Sequence, residues 1–458
     1  MWRARLNLQN GMQVFTGVWF GQLISLTGSG LTNFALGVWV YQTTDSATQF
    51  ALIALSSILP LIFISPVAGA LVDRWDRRWV MIISDSGAAL STIAVVILFG
   101  TGHLETWHIY ITTAISSTFS AFQWPAYTAA ITMLVPKERL DRASGMTQFS
   151  EHFAELVSPL FAGILLGFVG LYGIVLLDLV TFTFAIVVLL LVRFPSPKKA
   201  AAEQPISNLL QEITYGWRYV TQRPGLLALL LFFGVGNFFQ GMFDVLITPL
   251  ILSFATPVAL GTILSLSGAS MVVASVIMST RSAPKRRIHR ILFFQFTTGL
   301  CMLMVGLRSS VLLIAVFVAL LNFGRPIMAG SSQVIWQTKV PPDIQGRIFA
   351  MRRMIGWMFL PIAFLAAGPL ADYVFEPLLA ADGALAGSIG QIIGTGPGRG
   401  IGLLSIIAGV ALIIIAFLGY AYRPLRFVED EIPDAVWDRT PEDIELNEGM
   451  IIPSETAG

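Results

Sequence analysis

The chain has 458 residues, of which 55% are hydrophobic and 12% are charged, and its formal net charge is +1. Soluble domains carry about 25% charged residues, so this composition excludes an ordinary water-soluble fold. The near-zero net charge argues against a nucleic-acid-binding protein, which would carry a basic surface. The single cysteine, Cys301, excludes a disulfide within the chain. The composition therefore predicts a protein whose outer surface faces lipid.

Mostly apolar runs, each able to cross a bilayer as a helix of about 20 residues, follow one another along the chain. Six lie near residues 14–40, 49–72, 79–100, 107–134, 144–168 and 170–192, and six more near residues 226–253, 258–280, 289–307, 310–338, 349–372 and 401–422. The first run is longer than the core of a cleaved signal peptide, so we expect it to be retained. The pattern predicts an all-α membrane protein with twelve transmembrane helices in two pseudo-symmetric bundles of six.

Lys and Arg residues orient these spans, because they are retained on the cytoplasmic side of a membrane. When both termini are placed in the cytoplasm, 25 of the 28 basic residues fall on that side. Only Arg308 and Arg399 lie in outer loops, and Arg325 lies within the tenth span. We therefore expect a multi-pass protein of the inner or plasma membrane with both termini in the cytoplasm.

Two segments outside the spans complete the organisation of the chain. Residues 1–192 and 226–422 are the predicted bundles, residues 193–225 a cytoplasmic linker and residues 423–458 a tail. The linker carries apolar residues at helical spacing, which predicts a helix lying along the membrane surface; they are Leu209, Ile213, Trp217 and Val220. The tail holds ten acidic and three basic residues, and we expect it to be disordered.

The two predicted bundles contain similar polar loops. MLVPKERLDRAS follows the fourth span and TKVPPDIQGRIF follows the tenth, so that Val135-Pro136 aligns with Val340-Pro341. In the same alignment Glu138 matches Asp343 and Arg142 matches Arg347. Chance similarity between apolar stretches is the alternative. Repeats of this kind are typical of transporters whose substrate site lies between the two halves.

The loop between the second and third spans carries a recognisable motif. Residues 69–78 read GALVDRWDRR, which resembles the loop motif G-x-L-x-D-R-x-G-R-R/K of the major facilitator superfamily, with Asp76 in place of the second glycine. The wider stretches SPVAGALVDRWDRR and QWPAYTAAITMLVPKERLDRASGM are similar to the branch that exports drugs and siderophores, the group of macrolide and enterobactin exporters. The resemblance covers residues 14–422 and implies secondary transport.

Two departures from the family pattern stand out. The corresponding loop of the second half, STRSAPKRRIHR, has no aspartate. The fourth span also lacks the membrane-embedded arginine that is common in proton-coupled drug exporters.

This loop makes physical sense as a gate. Gly69 would permit close helix approach, and Asp73 could dock on a helix N-terminus of the other half. We expect the loop arginines to hold the segment at the cytoplasmic headgroups and Asp85 to pair with them; these arginines are Arg74, Arg77 and Arg78. The alternative is a tight turn whose arginines only set the orientation.

Charged residues inside the spans are candidates for coupling, because a charge at the bilayer centre costs about 2.5–3.5 kcal/mol on insertion scales. They are Glu151, Glu155, Asp178, Asp244 and Arg325. Glu151 and Glu155 are four residues apart and so share one helix face, and we expect Glu155, and less strongly Glu151, to be required for proton coupling. Fixed structural pairing, for example of Arg325 with one of these acids, is the alternative.

The predicted function is proton-coupled efflux of a small amphiphilic organic compound by alternating access, carried out by a monomer among membrane lipids. Lysophospholipid or lipid flipping and nutrient uptake remain open on the same fold. A membrane-embedded enzyme or a receptor is the alternative from another class. The sequence contains no phosphate-binding G-x-x-x-x-G-K-[ST] loop and no His/Cys/acid cluster with metal-ligand spacing, so we expect no cofactor and no metal.

Overall fold

The computed structural model describes residues 11–72, 75–136, 139–192, 217–280, 286–341 and 344–435, and within these ranges it contains helices and no strand. The long helices are α1 (Gly11–Thr44), α2 (Ala47–Val72), α3 (Arg77–Gly100), α4 (Thr106–Leu134), α5 (Leu140–Leu191), α6 (Pro224–Leu252), α7 (Pro257–Thr280), α8 (Arg287–Leu307), α9 (Val311–Lys339), α10 (Gln345–Leu370) and α11 (Arg399–Ala421). A π-helical turn, Ala371–Phe375, and short helices Glu376–Leu378 and Ile389–Ile393 join α10 to α11.

Helix α5 comprises two membrane crossings. Its 52 residues are interrupted at Gly170, whose φ of 64° and ψ of −174° lie outside the helical range. Ala143 and Leu189 nevertheless belong to one hydrophobic cluster, whereas an unbroken helix would hold them about 69 Å apart. The chain therefore reverses at Gly170, where the positive φ favours glycine.

The helices of the described ranges are consistent with the expected twelve crossings. Ten of them are long and apolar enough to cross a membrane, and α5 counts once among these ten. Twelve crossings result if the second crossing of α5 and the 29-residue helix α4 are counted with them.

Packing within each half follows from small residues at the contacts. In the second half, α8 and α11 approach so closely that a Cβ on Gly299 would lie 2.6 Å from the carbonyl oxygen of Gly409. A Cβ on Gly402 would lie 2.9 Å from the carbonyl oxygen of Gly306. Such contacts between small residues are the usual way in which helices associate in membranes.

The described parts of the two predicted repeat loops have similar backbones. The C-cap residues of α4 and α9 are Val135 and Val340; both are extended, and the N–H of each bonds back four residues, to Ile131 and to Trp336. Turns then close on the carbonyl oxygens of Pro136 and Pro341. Glu138 and Asp343 lie outside the described residues.

The beginning of the acidic tail is folded, which differs from the disorder expected for residues 423–458. Short helices Arg423–Arg426 and Val428–Glu431 pack under the second half. The buried Lys339 donates to the carbonyl oxygens of Glu429 and Ile432 and binds Asp434, with N–O distances of 2.5, 2.5 and 2.7 Å. The tail is ordered here because it supplies the acceptors that a buried ammonium needs. Residues 436–458, and most of the predicted linker (193–216), lie outside the described residues.

Candidate functional site

The two halves meet at one end of the bundle, where α2 begins and α10 ends. Asp372 of the second half accepts hydrogen bonds from Ser46 Oγ (2.6 Å) and from the backbone N–H groups of Ala47 (3.0 Å) and Thr48 (2.8 Å). A Cβ on Gly368 would lie 2.5 Å from the Cα of Thr48. We call this the closed end and the opposite end, where α1 begins and α11 ends, the basic end.

A second contact joins the halves between α5 and α7. A Cβ on Gly261 would lie 2.2 Å from the carbonyl oxygen of Pro159, and a Cβ on Gly163 would lie 2.7 Å from that of Pro257. Nearer the middle of the bundle, Ser265 Oγ donates to the carbonyl oxygen of Leu156 at 2.5 Å. These contacts extend from the closed end to about mid-depth, so the halves are joined over that part of their length.

A cavity of about 520 Å³ lies at mid-depth, and the described residues that line it all belong to the first half. Ser, Thr and Gln side chains form much of its wall, and its carboxylates are Asp85, Glu151, Glu155 and Asp178; none of the described lining residues is Lys or Arg. The Glu155 side chain is 63% exposed. Because a charge facing lipid at this depth would be costly, we infer that Glu155 faces water that enters from the basic end.

Asp85 lies on α3 and is only 5% exposed. Its Oδ2 accepts from Gln22 Nε2 and its Oδ1 from Gln123 Nε2, both at 3.0 Å. Gln123 Nε2 also lies 3.1 Å from Gln22 Oε1, to which it donates. The three side chains form a ring that joins α1, α3 and α4, and we call it the Asp85 ring.

The predicted coupling residues of α5 share this cavity. Glu151 and Glu155 lie on one face, as expected, and Glu155 Oε2 is 3.4 Å from His152 Nδ1. Asp178, 2% exposed, accepts from Ser29 Oγ at 3.3 Å and lies against Thr181 Oγ1 at 3.4 Å. The structure thus brings three of the five predicted in-span residues together and adds Asp85 to them.

The other two in-span residues, Arg325 and Asp244, lie in the second half and pair with each other. Arg325 Nη2 donates to Asp244 Oδ1. In the orientation that satisfies its amide, Gln240 Oε1 also accepts from Arg325 Nε at 2.6 Å and Nη2 at 3.0 Å. Arg325 borders a groove of about 500 Å³ whose wall is mainly apolar; its other lining residues are His152, Met271, Val272, Ser275, Val276, Ser279, Pro326 and Ala329.

The described part of the gate loop differs from expectation. A Cβ on Gly69 would meet no described atom within 4 Å, so no close helix approach occurs there in this conformation. Asp76 caps α3 by accepting from the backbone N–H groups of Arg78 (2.9 Å) and Trp79 (3.3 Å), which explains a carboxylate at the family's glycine position. Asp73 and Arg74 lie outside the described residues.

Two of the loop arginines, Arg77 and Arg78, bind their own half. Arg78 Nε and Nη2 donate to the carbonyl oxygens of Leu189 and Leu190, both at 2.8 Å, and Arg77 Nη1 lies 3.5 Å from Met133 Sδ. The predicted pairing of Asp85 with these two arginines is therefore wrong. Asp85 lies eight residues beyond Arg77, about 12 Å along the helix, and faces the cavity instead of the loop.

Sequence reasoning missed three residues of this site. Gln22 and Gln123 were not predicted because neutral amides carry no insertion penalty comparable to a charge, although Gln123 lies in the motif FQWP. Asp372 was not predicted because it lies at the end of a span, where acids are common. The usable signal was position: Gln22 and Gln123 are strongly polar side chains deep inside otherwise apolar runs.

The fold, the paired bundles and the mid-depth cavity define a membrane transporter. Residues 18–365 match the family model described as Major Facilitator Superfamily. The chain belongs to the Major Facilitator Superfamily and is a transporter, not an enzyme, as predicted.

Several relatives are named as efflux proteins. The chain is 28% identical over 368 residues to macrolide efflux protein A of Streptococcus pyogenes, a match that covers 79% of this chain and 90% of the relative. It is 24% identical over 359 residues to the multidrug efflux pump Tap of Mycolicibacterium fortuitum, covering 77% and 88%. The predicted resemblance to drug exporters is confirmed.

Solved structures share the fold at low identity. A bacterial homologue of the human lysosomal transporter Spinster, in an inward-facing and unoccupied conformation, aligns with a TM-score of 0.68 at 13% identity, covering 92% of this chain and 98% of that one. The nucleoside transporter NupG aligns with a TM-score of 0.61 at 15% identity, covering 88% and 98%. These likenesses concern the fold alone.

Proposed function

We propose that this protein exports small amphiphilic organic compounds of the macrolide kind from the cytoplasm in exchange for protons. One observation carries the proposal: a carboxylate-lined cavity at mid-depth lies below an end where the two halves are in contact. A cavity reached from one side at a time is the requirement of alternating access.

The proposed direction, export, rests on the orientation of the bundle together with the names of the relatives. Most of the Lys and Arg residues that the structure describes lie at the basic end, which favours a cytoplasmic position of that end and of both termini in an inner or plasma membrane. In this conformation the cavity would receive its substrate from the cytoplasm. The names of the relatives, macrolide efflux protein and multidrug efflux pump, support export.

The proposed amphiphilic character of the substrate is supported by a polar cavity wall and an apolar groove wall. The cavity of the first half offers hydroxyl, amide and carboxylate groups, whereas the groove beside Arg325 offers mainly apolar surface, including Met271 and Val272. Methionine adapts to apolar ligands of different shape. One chain contributes both walls, so we propose that a monomer among membrane lipids is functional.

Protons are the proposed coupling ion because the cavity gathers carboxyl groups with no Lys or Arg among its described lining residues. A carboxyl group away from bulk water can gain or lose a proton as its surroundings change. We propose that Asp85, Glu151, Glu155 and Asp178 supply the exchangeable protons. No cofactor is proposed.

Purified protein in liposomes with an acidic lumen tests this proposal. Molecules whose basic end faces outward should concentrate an external labelled macrolide in exchange for lumenal protons. Because one pH unit is worth about 1.4 kcal/mol, it sustains about a tenfold gradient for one proton. Protein-free liposomes measure the passive trapping of a weak base, and uptake no greater than theirs would contradict the proposal. Uptake of a labelled lysophospholipid instead would favour lipid flipping.

A further inference from the structure

We infer that Asp85 is the carboxyl group whose protonation changes the packing of the first half, and that the Asp85 ring is the switch that couples proton binding to transport. This inference rests on the proposed proton-driven function. It goes beyond that function by naming one group among the carboxylates of the cavity and the helix contact that the proton would break.

The groups around Asp85 determine which ligand could neutralise its charge. Its two hydrogen-bond partners, Gln22 and Gln123, are neutral amides. The ionisable groups on the elements packed around it are acids or lie away from it: Glu151, Glu155 and Asp178 on α5, Tyr127 on α4, and Arg77 and Arg78 at the start of its own helix. The two arginines bind elsewhere, as described above. A proton is therefore the ligand that would neutralise Asp85 in place.

The hydrogen bonds of the ring depend on whether Asp85 is ionised or protonated. An ionised carboxylate only accepts hydrogen bonds, and both oxygens of Asp85 do so. Gln123 Oε1 is buried and has no hydrogen-bond partner. Once Asp85 carries a proton, its O–H can donate, and Gln123 Oε1 can accept that bond if the amide turns over. The proton comes from water in the cavity, and no covalent bond of the protein changes.

A turn of the Gln123 amide would change the contact between α1 and α4. If the Gln123 amide turns over, Nε2 leaves Gln22 Oε1, to which it now donates at 3.1 Å. This bond connects α1 to α4. Protonation of Asp85 therefore breaks a contact between two helices of the cavity wall, whereas ionisation restores it.

The partners of the other carboxylates can adjust to a proton without a helix contact being broken. Asp178 is bound by hydroxyl groups, Ser29 and Thr181, and a hydroxyl can rotate from donor to acceptor without leaving its place. Glu155 is 63% exposed beside His152, so water adjusts to its charge. Among the described carboxylates of the cavity, only Asp85 is bound by an amide that also forms a hydrogen bond to a second helix.

The test uses the liposome assay with variants of the full chain. Asp85→Asn should still exchange labelled for unlabelled macrolide without a pH gradient, but should lose the roughly tenfold accumulation that one pH unit sustains. Gln123→Leu keeps the carboxyl group and removes the amide switch, so it should lose accumulation in the same way. Asp382→Asn makes the same chemical change as Asp85→Asn at an exposed loop residue and should behave as wild type.

Infrared spectroscopy separates this inference from the proposed function. In difference spectra between acidic and alkaline buffer, wild type should show a protonated-carboxyl C=O band that Asp85→Asn lacks and Asp382→Asn keeps. If wild type fails to accumulate macrolide, the proposed function fails, and this band alone decides whether Asp85 binds the proton. Wild-type accumulation by Asp85→Asn or by Gln123→Leu, or an unchanged band in Asp85→Asn, would overturn the inference. If Asp85→Asn does not fold, the Gln123→Leu result decides.

Discussion

Asp372 Oδ2 accepts a hydrogen bond of 2.6 Å from Ser46 Oγ, across the interface between the two halves. The same carboxylate also accepts from the backbone N–H groups of Ala47 and Thr48, which are the first residues of α2. A carboxylate at a helix N-terminus is stabilised by the unpaired N–H groups and by the helix dipole. A residue of one half thus caps a helix of the other, and the cap exists only while the closed end is closed.

Asp372→Asn should weaken the closed end, because the charge that favours the α2 N-terminus is removed. Asn can still cap the helix, so only the interaction of the charge with the helix N-terminus is lost; it is worth about 0.3–1 kcal/mol, which changes a population ratio about 2–5-fold. Spin labels at the exposed residues Gln42 and Tyr373 would report the distance across this end, since Cys301 is buried. We expect a larger population at long distance in Asp372→Asn, and an unchanged distribution in the control Asp382→Asn. Identical distributions in all three proteins would show that Asp372 does not hold this end.

The contact between α5 and α7 gives a prediction with a matched control. A Cβ at Gly261 of α7 would meet the carbonyl oxygen of Pro159 at 2.2 Å. A Cβ at Gly167 of α5 would meet no described atom within 4 Å. Gly261→Ala should force the halves apart, at a cost of about 1–3 kcal/mol for overpacking. The same spin-label pair should show the long distance in Gly261→Ala and the wild-type distance in Gly167→Ala. Equal behaviour of the two variants would contradict the tight interface.

The sequence predicted the helices better than it predicted their partners. Apolar runs and basic loops are local signals, so each predicted span has a matching helix or, in α5, a matching segment. The Asp85 ring joins residues that are 38, 63 and 101 positions apart, and no local pattern indicates which amide meets which acid. Charge was a sound guide to Glu151, Glu155 and Asp178, which share the cavity.

One prediction stays untested and another failed, because both depended on context. Gly69 stays a prediction, since close contact at a gate exists only when that gate is closed. The tail was expected to be disordered from its acidity, yet residues 423–435 are folded because Lys339 and the start of α8 need acceptors. A composition rule cannot identify a partner that lies about 90 residues away.

Substitutions of Arg325 and Asp244 can show whether this pair has a functional or a structural role. The two side chains are 29% and 40% exposed, so the pair should contribute less than about 1 kcal/mol to stability. Asp244→Asn should therefore shift the unfolding midpoint by no more than about 4 °C, while transport falls because Arg325 is left without a counter-charge beside the apolar groove. The double variant Asp244→Asn/Arg325→Gln removes both charges, so it is the control for the effect of leaving one charge without its counter-charge. A large loss of thermal stability with normal transport in the remaining folded protein would assign the pair a structural role.

The orientation of the chain can be tested in cells. Reporter fusions after Gly170 and after Arg399 should be active on the outer side of the membrane, because the predicted outer loops are nearly free of basic residues. Fusions after Lys199 and within the acidic tail should report the cytoplasm. An external tail would reverse the predicted direction of transport.

Movement of macrolide and of protons in the same vesicles tests the central claim most directly. Liposomes with an acidic lumen and a lumenal pH indicator receive a pulse of labelled macrolide from outside. We predict that macrolide uptake is accompanied by proton loss from the lumen beyond that of protein-free liposomes, at a rate proportional to the amount of protein. Protein-dependent uptake of macrolide with no protein-dependent loss of protons would contradict proton exchange.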